Sequence, residues 1–246
     1  MNVPKIIVLI CFISCCTIHL LGSTQAEYTE AFSDFTTDID GWGGSADSFL
    51  STLNAITAGN SYLRKEINTS GSGGLKSRLV VRRPVNSSVI GSDLWLGDFY
   101  DKQVSRVELD FNNWSMDETI YLRLALSNVT NPMISTGTWW VSTTYATFGP
   151  ESGWRSASFN IDENYMKVVG DFNGGFGNDS FSETLSDIKG FRFIASSSGD
   201  SALGDLYSGA IGMDNIRLIT SIPEPSTYAV IMGLLTTLHA VRRRRN

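Results

Sequence analysis

Two segments near the middle of the chain alternate apolar and polar residues with a period of two. In "VSRVELDFN" (104–112) the spacing puts Val107, Leu109 and Phe111 on one side; in "YLRLALSNV" (121–129) it sets Leu122, Leu124 and Leu126 against Tyr121, Arg123, Ala125 and Ser127. Successive side chains of an extended chain point to opposite faces, so this pattern predicts half-buried strands and excludes amphipathic helices at both places. "SRLVVRRPV", "WRSASFNID", "YMKVVGDF", "FRFIASS" and "IGMDNIRLIT" are further strand candidates, separated by Gly-, Ser-, Asn- and Asp-rich stretches such as "SGSGG", "NGGFGND" and "SSGD". Helical signal is confined to "FSETLSDIKG" (181–190), which fits one or two turns with Ser182 as the cap and Leu185 and Ile188 facing inward. Many short strands joined by glycine-rich turns predict an all-β fold, an antiparallel jelly-roll β-sandwich over residues 27–222.

The two ends differ from this body. Lys5 precedes an apolar run from Ile6 to Leu21 and a small, polar stretch ending at Ala26, the pattern of a signal peptide cut by signal peptidase ahead of Glu27. A lipoprotein signal is the alternative, with Cys15 of "FISC" as the lipidated residue. Cys11, Cys15, Cys16 and His19 all lie in this segment, and His239 lies in the C-terminal tail, so residues 27–222 contain neither Cys nor His. That excludes cysteine nucleophiles, Ser-His-Asp triads, His-based metal sites and disulfide staples from the body. With 14 basic against 24 acidic residues, the body carries a net charge of −10, which argues against nucleic acid and makes cations the better charged partners.

The segments "FSDFTTDIDGWGG", "GGLKSRLVV", "LWLGDF" and "GMDNIRL" resemble the jelly-roll domains shared by carbohydrate-binding modules and laminin-B-type domains. The resemblance implies a structural Ca²⁺ ion between the first and last strands. It would place Asp214 near the Asp34 turn, with Glu30 as a further oxygen ligand; calcium takes six to eight oxygens, including carboxylates and loop carbonyls.

The tryptophans of the body are Trp42, Trp95, Trp114, Trp139, Trp140 and Trp154. Aromatics are core material first, but "TGTWWVSTTY" puts two adjacent indoles on one strand, where they point to opposite faces, and one is expected to be exposed if the other is core. Trp139, Trp140 and Trp154 are therefore the candidate sugar-stacking residues, with polar neighbours supplying orienting hydrogen bonds. No catalytic residue is assigned. Asp117 with Glu118 and Asp162 with Glu163 are adjacent pairs whose side chains diverge on a strand, so they read as solvated turns rather than as an acid and base flanking a glycosidic bond. The expectation is a non-catalytic glycan-binding module; a structural or adhesion protein with protein partners is the main rival, and a carboxylate-based glycoside hydrolase ranks third.

The chain ends "SIPEPSTYAVIMGLLTTLHAVRRRRN". Residues 226–241 carry no charge and would span roughly 24 Å as a helix, a minimal fit to a hydrocarbon core of about 30 Å. Arg242, Arg243, Arg244 and Arg245 would then stay on the cytoplasmic side, with the body outside. Pro223, Glu224 and Pro225, a short transmembrane helix and an arginine cluster, in that order, resemble the PEP-CTERM sorting signal. The resemblance implies recognition by the membrane-embedded transpeptidase exosortase, cleavage near Pro-Glu-Pro after a transient inner-membrane stop, and delivery to the cell surface or an extracellular exopolysaccharide matrix.

Overall fold

The structure is a computed structural model that describes residues 26–38, 40–43, 48–51, 55–56, 59–68, 78–82, 93–130, 137–169 and 177–222. Residues 1–25 of the expected signal peptide (1–26), the Pro-Glu-Pro motif, the 226–241 segment and the arginine cluster lie outside the described residues. Among the described residues no helix is long and apolar enough to cross a membrane. The chain divides into two compact units, Met1–Glu27 with Ser221–Asn246, and Tyr28–Thr220.

The described chain is built of antiparallel strands. In order they are β1 (Ala26–Ser33), β2 (Trp42–Gly43), β3 (Ser48–Ser51), β4 (Tyr62–Asn68), β5 (Arg78–Arg82), β6 (Val104–Asn113), β7 (Ile120–Ser127), β8 (Trp139–Ser142), β9 (Ala146–Phe148), β10 (Arg155–Asn160), β11 (Met166–Val169), β12 (Gly190–Ala195) and β13 (Ser208–Ile222). A six-stranded sheet runs β10-β6-β13-β4-β3, with β1 also on β13; a seven-stranded sheet runs β11-β8-β7-β12-β5-β2, with β9 also on β7. The chain crosses between the sheets from β4 to β5 to β6 to β7, giving the expected jelly-roll β-sandwich.

The core fills the space between the sheets, and the period-two residues supply it. Val107, Leu109 and Phe111 of β6 face Leu122, Leu124 and Leu126 of β7, all buried. Trp42 sits at its centre with ring centroids 5.0 Å from Trp95, 5.2 Å from Phe191 and 5.8 Å from Phe193, and its indole N–H donates to Ser33 Oγ at 3.1 Å. Enclosing each such side chain stabilises the fold by about 2–3 kcal/mol.

Strand β7 departs from the half-buried expectation. Its other face is buried too: Arg123, Ala125 and Ser127 are enclosed, and Ala125 joins Trp139, Val141, Val169, Ile194 and Ala202 in a second apolar cluster outside the seven-stranded sheet. Ala202 comes from the segment between β12 and β13, which covers this face. The helix α1 (Phe181–Leu185) forms where expected, and Leu185 and Ile188 are buried, but the cap is Ser180 rather than Ser182. Ser180 accepts from the Glu183 amide while the Glu183 carboxylate accepts from the Ser180 amide, a reciprocal capping box that Ser182 lacks the spacing to make.

Strand β13 contains a bulge between Asp214 and Arg217. Asn215 takes a left-handed φ of 50°, which asparagine tolerates better than most residues, and its amide donates to Asp214 Oδ1 at 2.8 Å. The inserted residue lets Met213, Ile216 and Leu218 all reach the core while Asp214 and Arg217 face outward.

Candidate functional site

On the outer face of the six-stranded sheet the register aligns Asp110, Asn112 and Trp114 of β6 and its continuation beside Gly212 and Asp214 of β13, Tyr62 and Arg64 of β4, and Trp154 and Ser156 at the start of β10. Trp114 and Trp154 are both partly exposed. Their ring centroids lie 5.7 Å apart with planes at 89°, so they form a corner rather than a flat shelf. Tyr62 closes its base, 5.3 Å from Trp114 and 5.1 Å from Trp154, and is fully buried beneath them.

The corner depends on Gly212. A Cβ there would stand 2.5 Å from the Trp114 ring and 2.8 Å from the Trp154 ring, so any side chain would push both indoles off the sheet. The turn carrying Trp114 is held by the buried Asn113. Its Nδ2 donates to the carbonyls of Glu118 (2.8 Å), Phe148 (3.0 Å) and Gly149 (3.1 Å), and its Oδ1 accepts from the Ser115 amide (2.9 Å) and the Tyr207 hydroxyl (2.8 Å). The amide of Ser152 donates to the Asn113 carbonyl at 3.2 Å, which ties the segment leading to Trp154 to the same turn. Both indoles are thereby positioned by one satisfied polar hub.

Polar groups surround the corner. The Arg64 guanidinium lies 5.2 Å from the centre of the Trp114 ring, and its Nε and Nη2 both donate to Glu66 Oε1, at 2.9 and 2.7 Å. Asp110 accepts from Ser156 Oγ (2.7 Å) and Asn215 Nδ2 (2.9 Å). Asn112, opposite Gly212 in the ladder, is 3% exposed, and its Oδ1 meets no donor among the described residues. Further along the same face, Arg106 donates to Glu108 and Arg217 lies over the exposed ring of Phe32.

Asp214 is fully buried opposite Asp110, accepting from Asn60 Nδ2 at 3.4 Å as well as from the Asn215 amide. Burial pushes its carboxyl up to about 6, and the charges of Asp110 and Asp34 add to the effect. A carboxyl raised in the folded state contributes stability that is fully present below its unfolded value near 4 and is lost as pH rises through about 6. Asp214→Asn is therefore expected to be more stable than wild type by roughly 2 kcal/mol at about pH 7.5, with the difference vanishing near pH 4. Urea unfolding at both pH values measures this; a less stable variant at the higher pH contradicts it.

Of the residues implied as calcium ligands, Asp34 lies near Asp214, while Glu30 has other partners. Asp34 is near enough to Asp214 to act on its charge, but Asp34 Oδ1 already accepts from the amide and hydroxyl of Thr36. Glu30 faces the Lys102 ammonium at 3.8 Å and accepts from the Tyr28 hydroxyl. Among the described residues no group of three acidic side chains is arranged to hold a metal ion.

Of the sugar-stacking candidates, Trp154 sits in the corner and the other two do not. Trp139 and Trp140 do point to opposite faces of β8. Trp139 is fully enclosed in the second apolar cluster, and Trp140 packs on the main core with its ring 5.0 Å from Phe181. Trp139 is thus the core member of the pair, beneath the β12–β13 segment, whereas Trp140 stays partly exposed at the edge of the core. Trp114 was missed by sequence reasoning, although a signal existed: it extends the even-numbered series Arg106, Glu108, Asp110, Asn112, the polar face of β6, where a core aromatic is out of place. The acidic doublets form turns. Asp162 Oδ1 accepts from the Asn164 amide and caps a 3₁₀ turn, and Glu118 accepts from the Ser208 amide.

No protein-family model and no curated protein matches this chain. Among solved structures, the chain is similar to the module CtCBM11 at 15% identity and a TM-score of 0.44, over 82% of this chain and 99% of that one. It is similar to the CBM22-1 xylan-binding domain of Xyn10C from Paenibacillus barcinonensis at 8% and 0.44, over 81% and 97%. A third likeness is to CBM27-1 from Caldicellulosiruptor saccharolyticus, solved with mannohexaose, at 13% and 0.38, over 81% and 98%.

Proposed function

We propose that the body of this chain is a non-catalytic glycan-binding β-sandwich whose site is the Trp114–Trp154 corner. The observation that carries the reading is the pair of partly exposed indoles, roofing Gly212 and bordered by Arg64, Asp110, Asn112 and Ser156 on the outer, solvent-facing side of a sheet. Sugar rings combine an apolar C–H face with a rim of hydroxyls, and an aromatic wall beside hydrogen-bonding groups matches both. The carboxylates near the corner support binding rather than hydrolysis. Asp214 is enclosed beneath the surface, both Asp110 oxygens accept hydrogen bonds within the sheet, and exposed Glu66 is paired with Arg64, so among the described residues no free acid and base face each other across the corner.

The termini support an address for this module: export by the N-terminal segment, a transient stop in the inner membrane, and sorting through Pro223-Glu224-Pro225 and the arginine cluster by exosortase to the cell surface or an exopolysaccharide matrix. A matrix of that kind would supply the glycan. Affinity electrophoresis of the mature body through gels cast with a panel of polysaccharides tests the binding reading. At least one polysaccharide is expected to retard the protein, and unretarded migration in all of them overturns it.

A further inference from the structure

The charge pattern around the corner decides which glycans fit, an inference that rests on the binding reading above. Among the described residues, Arg64, Arg106 and Arg217 on this face each meet a partner within the chain. The Arg64 guanidinium, the group bordering Trp114, delivers two hydrogen bonds to a single Glu66 oxygen, a geometry that orients it away from an incoming anion. Arg106 is held by Glu108, and Arg217 lies over Phe32. Against these cations stand Glu66, Glu108 and Asp110 on the same face, within a body of net charge −10. The hydrogen-bonding capacity left over is that of acceptors. Partly exposed Asp110 has lone pairs beyond those taken by Ser156 and Asn215, and the exposed Ser156 hydroxyl keeps acceptor lone pairs of its own.

We propose that this face selects uncharged, hydroxyl-rich polysaccharides and rejects uronate or sulfated ones. A neutral sugar hydroxyl donates to these acceptors. A carboxylate or sulfate cannot donate, meets the carboxylates at short range, and finds the guanidinium of Arg64 neutralised. Long-range repulsion by the acidic body acts in the same direction and is screened by salt.

The test is isothermal titration of the mature body with neutral hexasaccharides and with hexagalacturonate of equal length, at low and at physiological salt. The best neutral hexasaccharide is expected to bind at least tenfold more tightly than hexagalacturonate at low salt, with the gap narrowing as salt rises. Glu66→Gln, a change at an exposed position that frees Arg64, is expected to improve hexagalacturonate binding by at least threefold, and Asp110→Asn should act in the same direction. Equal or tighter binding of hexagalacturonate by the wild type overturns the charge rule while leaving the glycan reading intact. Binding of no hexasaccharide of either kind overturns the glycan reading, and the charge rule with it.

Discussion

Replacing Arg123 with methionine is expected to cost the fold roughly 3–5 kcal/mol, the largest single-residue loss outside the apolar core. Arg123 is only 3% exposed. Its Nε donates to the Ser196 carbonyl (2.8 Å), its Nη1 to those of Ser142 (2.7 Å) and Thr143 (2.8 Å), and its Nη2 to that of Ser197 (2.9 Å), while the guanidinium lies 4.8 Å from the centre of the Tyr145 ring. One side chain thus joins β7 to the end of β8 and to the segment that covers the second apolar cluster. Gly199 makes room for it at a left-handed φ of 64°; a Cβ there would come within 2.9 Å of the guanidinium. Burial lowers the guanidinium pKa, yet an arginine this well satisfied stays charged. Methionine keeps the apolar stem but strands buried carbonyls, and lysine cannot reproduce the planar fork, so Arg123→Lys should fall between the two. Lys189→Ala, which removes an exposed ion pair with Asp187, sets the scale at about 0.5 kcal/mol. Urea unfolding measures all three variants; a loss below about 1 kcal/mol for Arg123→Met would show that the clamp is not the anchor of this face.

The second large effect concerns binding. Trp114→Ala and Trp154→Ala are each expected to weaken the tightest glycan ligand by at least about tenfold, and the double variant by about a hundredfold or more, since buried aromatic anchors dominate recognition sites. Partly exposed side chains at the end of a strand contribute less to the core than Trp42 does, so the variants should remain folded. Gly212→Val gives an independent check because it leaves both indoles in the chain. Its side chain would occupy the space within 2.5–2.8 Å of both rings, displace the corner and weaken binding by a comparable factor. Undiminished affinity in the double variant would place the binding surface elsewhere.

The period-two reading carried most of the fold. Residues Val107, Leu109 and Phe111, and Leu122, Leu124 and Leu126, face one another across the sandwich as their spacing requires. The same logic contained Trp114, since the alternation that buries Phe111 turns Asp110, Asn112 and Trp114 outward. Trp139 defeated it for a different reason. Local periodicity reports which side of a strand a residue occupies, but not whether a distant segment covers that side; Ala202 lies more than sixty residues away along the chain. Small residues at Ala125 and Ser127 were the available hint that something packs against the outer face of β7.

The placement of the acidic residues near β1 shows the same limit in electrostatic form. The Asp34 turn does come near Asp214, as the resemblance implied, but Glu30 faces Lys102, a cation contributed from a loop that no spacing argument links to β1. The helix cap was legible and misread. Ser180 stands three residues before Glu183, the spacing of a reciprocal cap, whereas Ser182 is adjacent to it.

The central claim is that the corner of Trp114 and Trp154 is the glycan-binding surface. The most direct measurement follows the six indole N–H resonances of residues 27–222 by NMR during titration with a retained oligosaccharide. The resonances of Trp114 and Trp154 are expected to shift with a common saturation curve, while those of the enclosed Trp42 and Trp139 stay in place. Saturable shifts confined to other tryptophans, with Trp114 and Trp154 unmoved, would contradict the account.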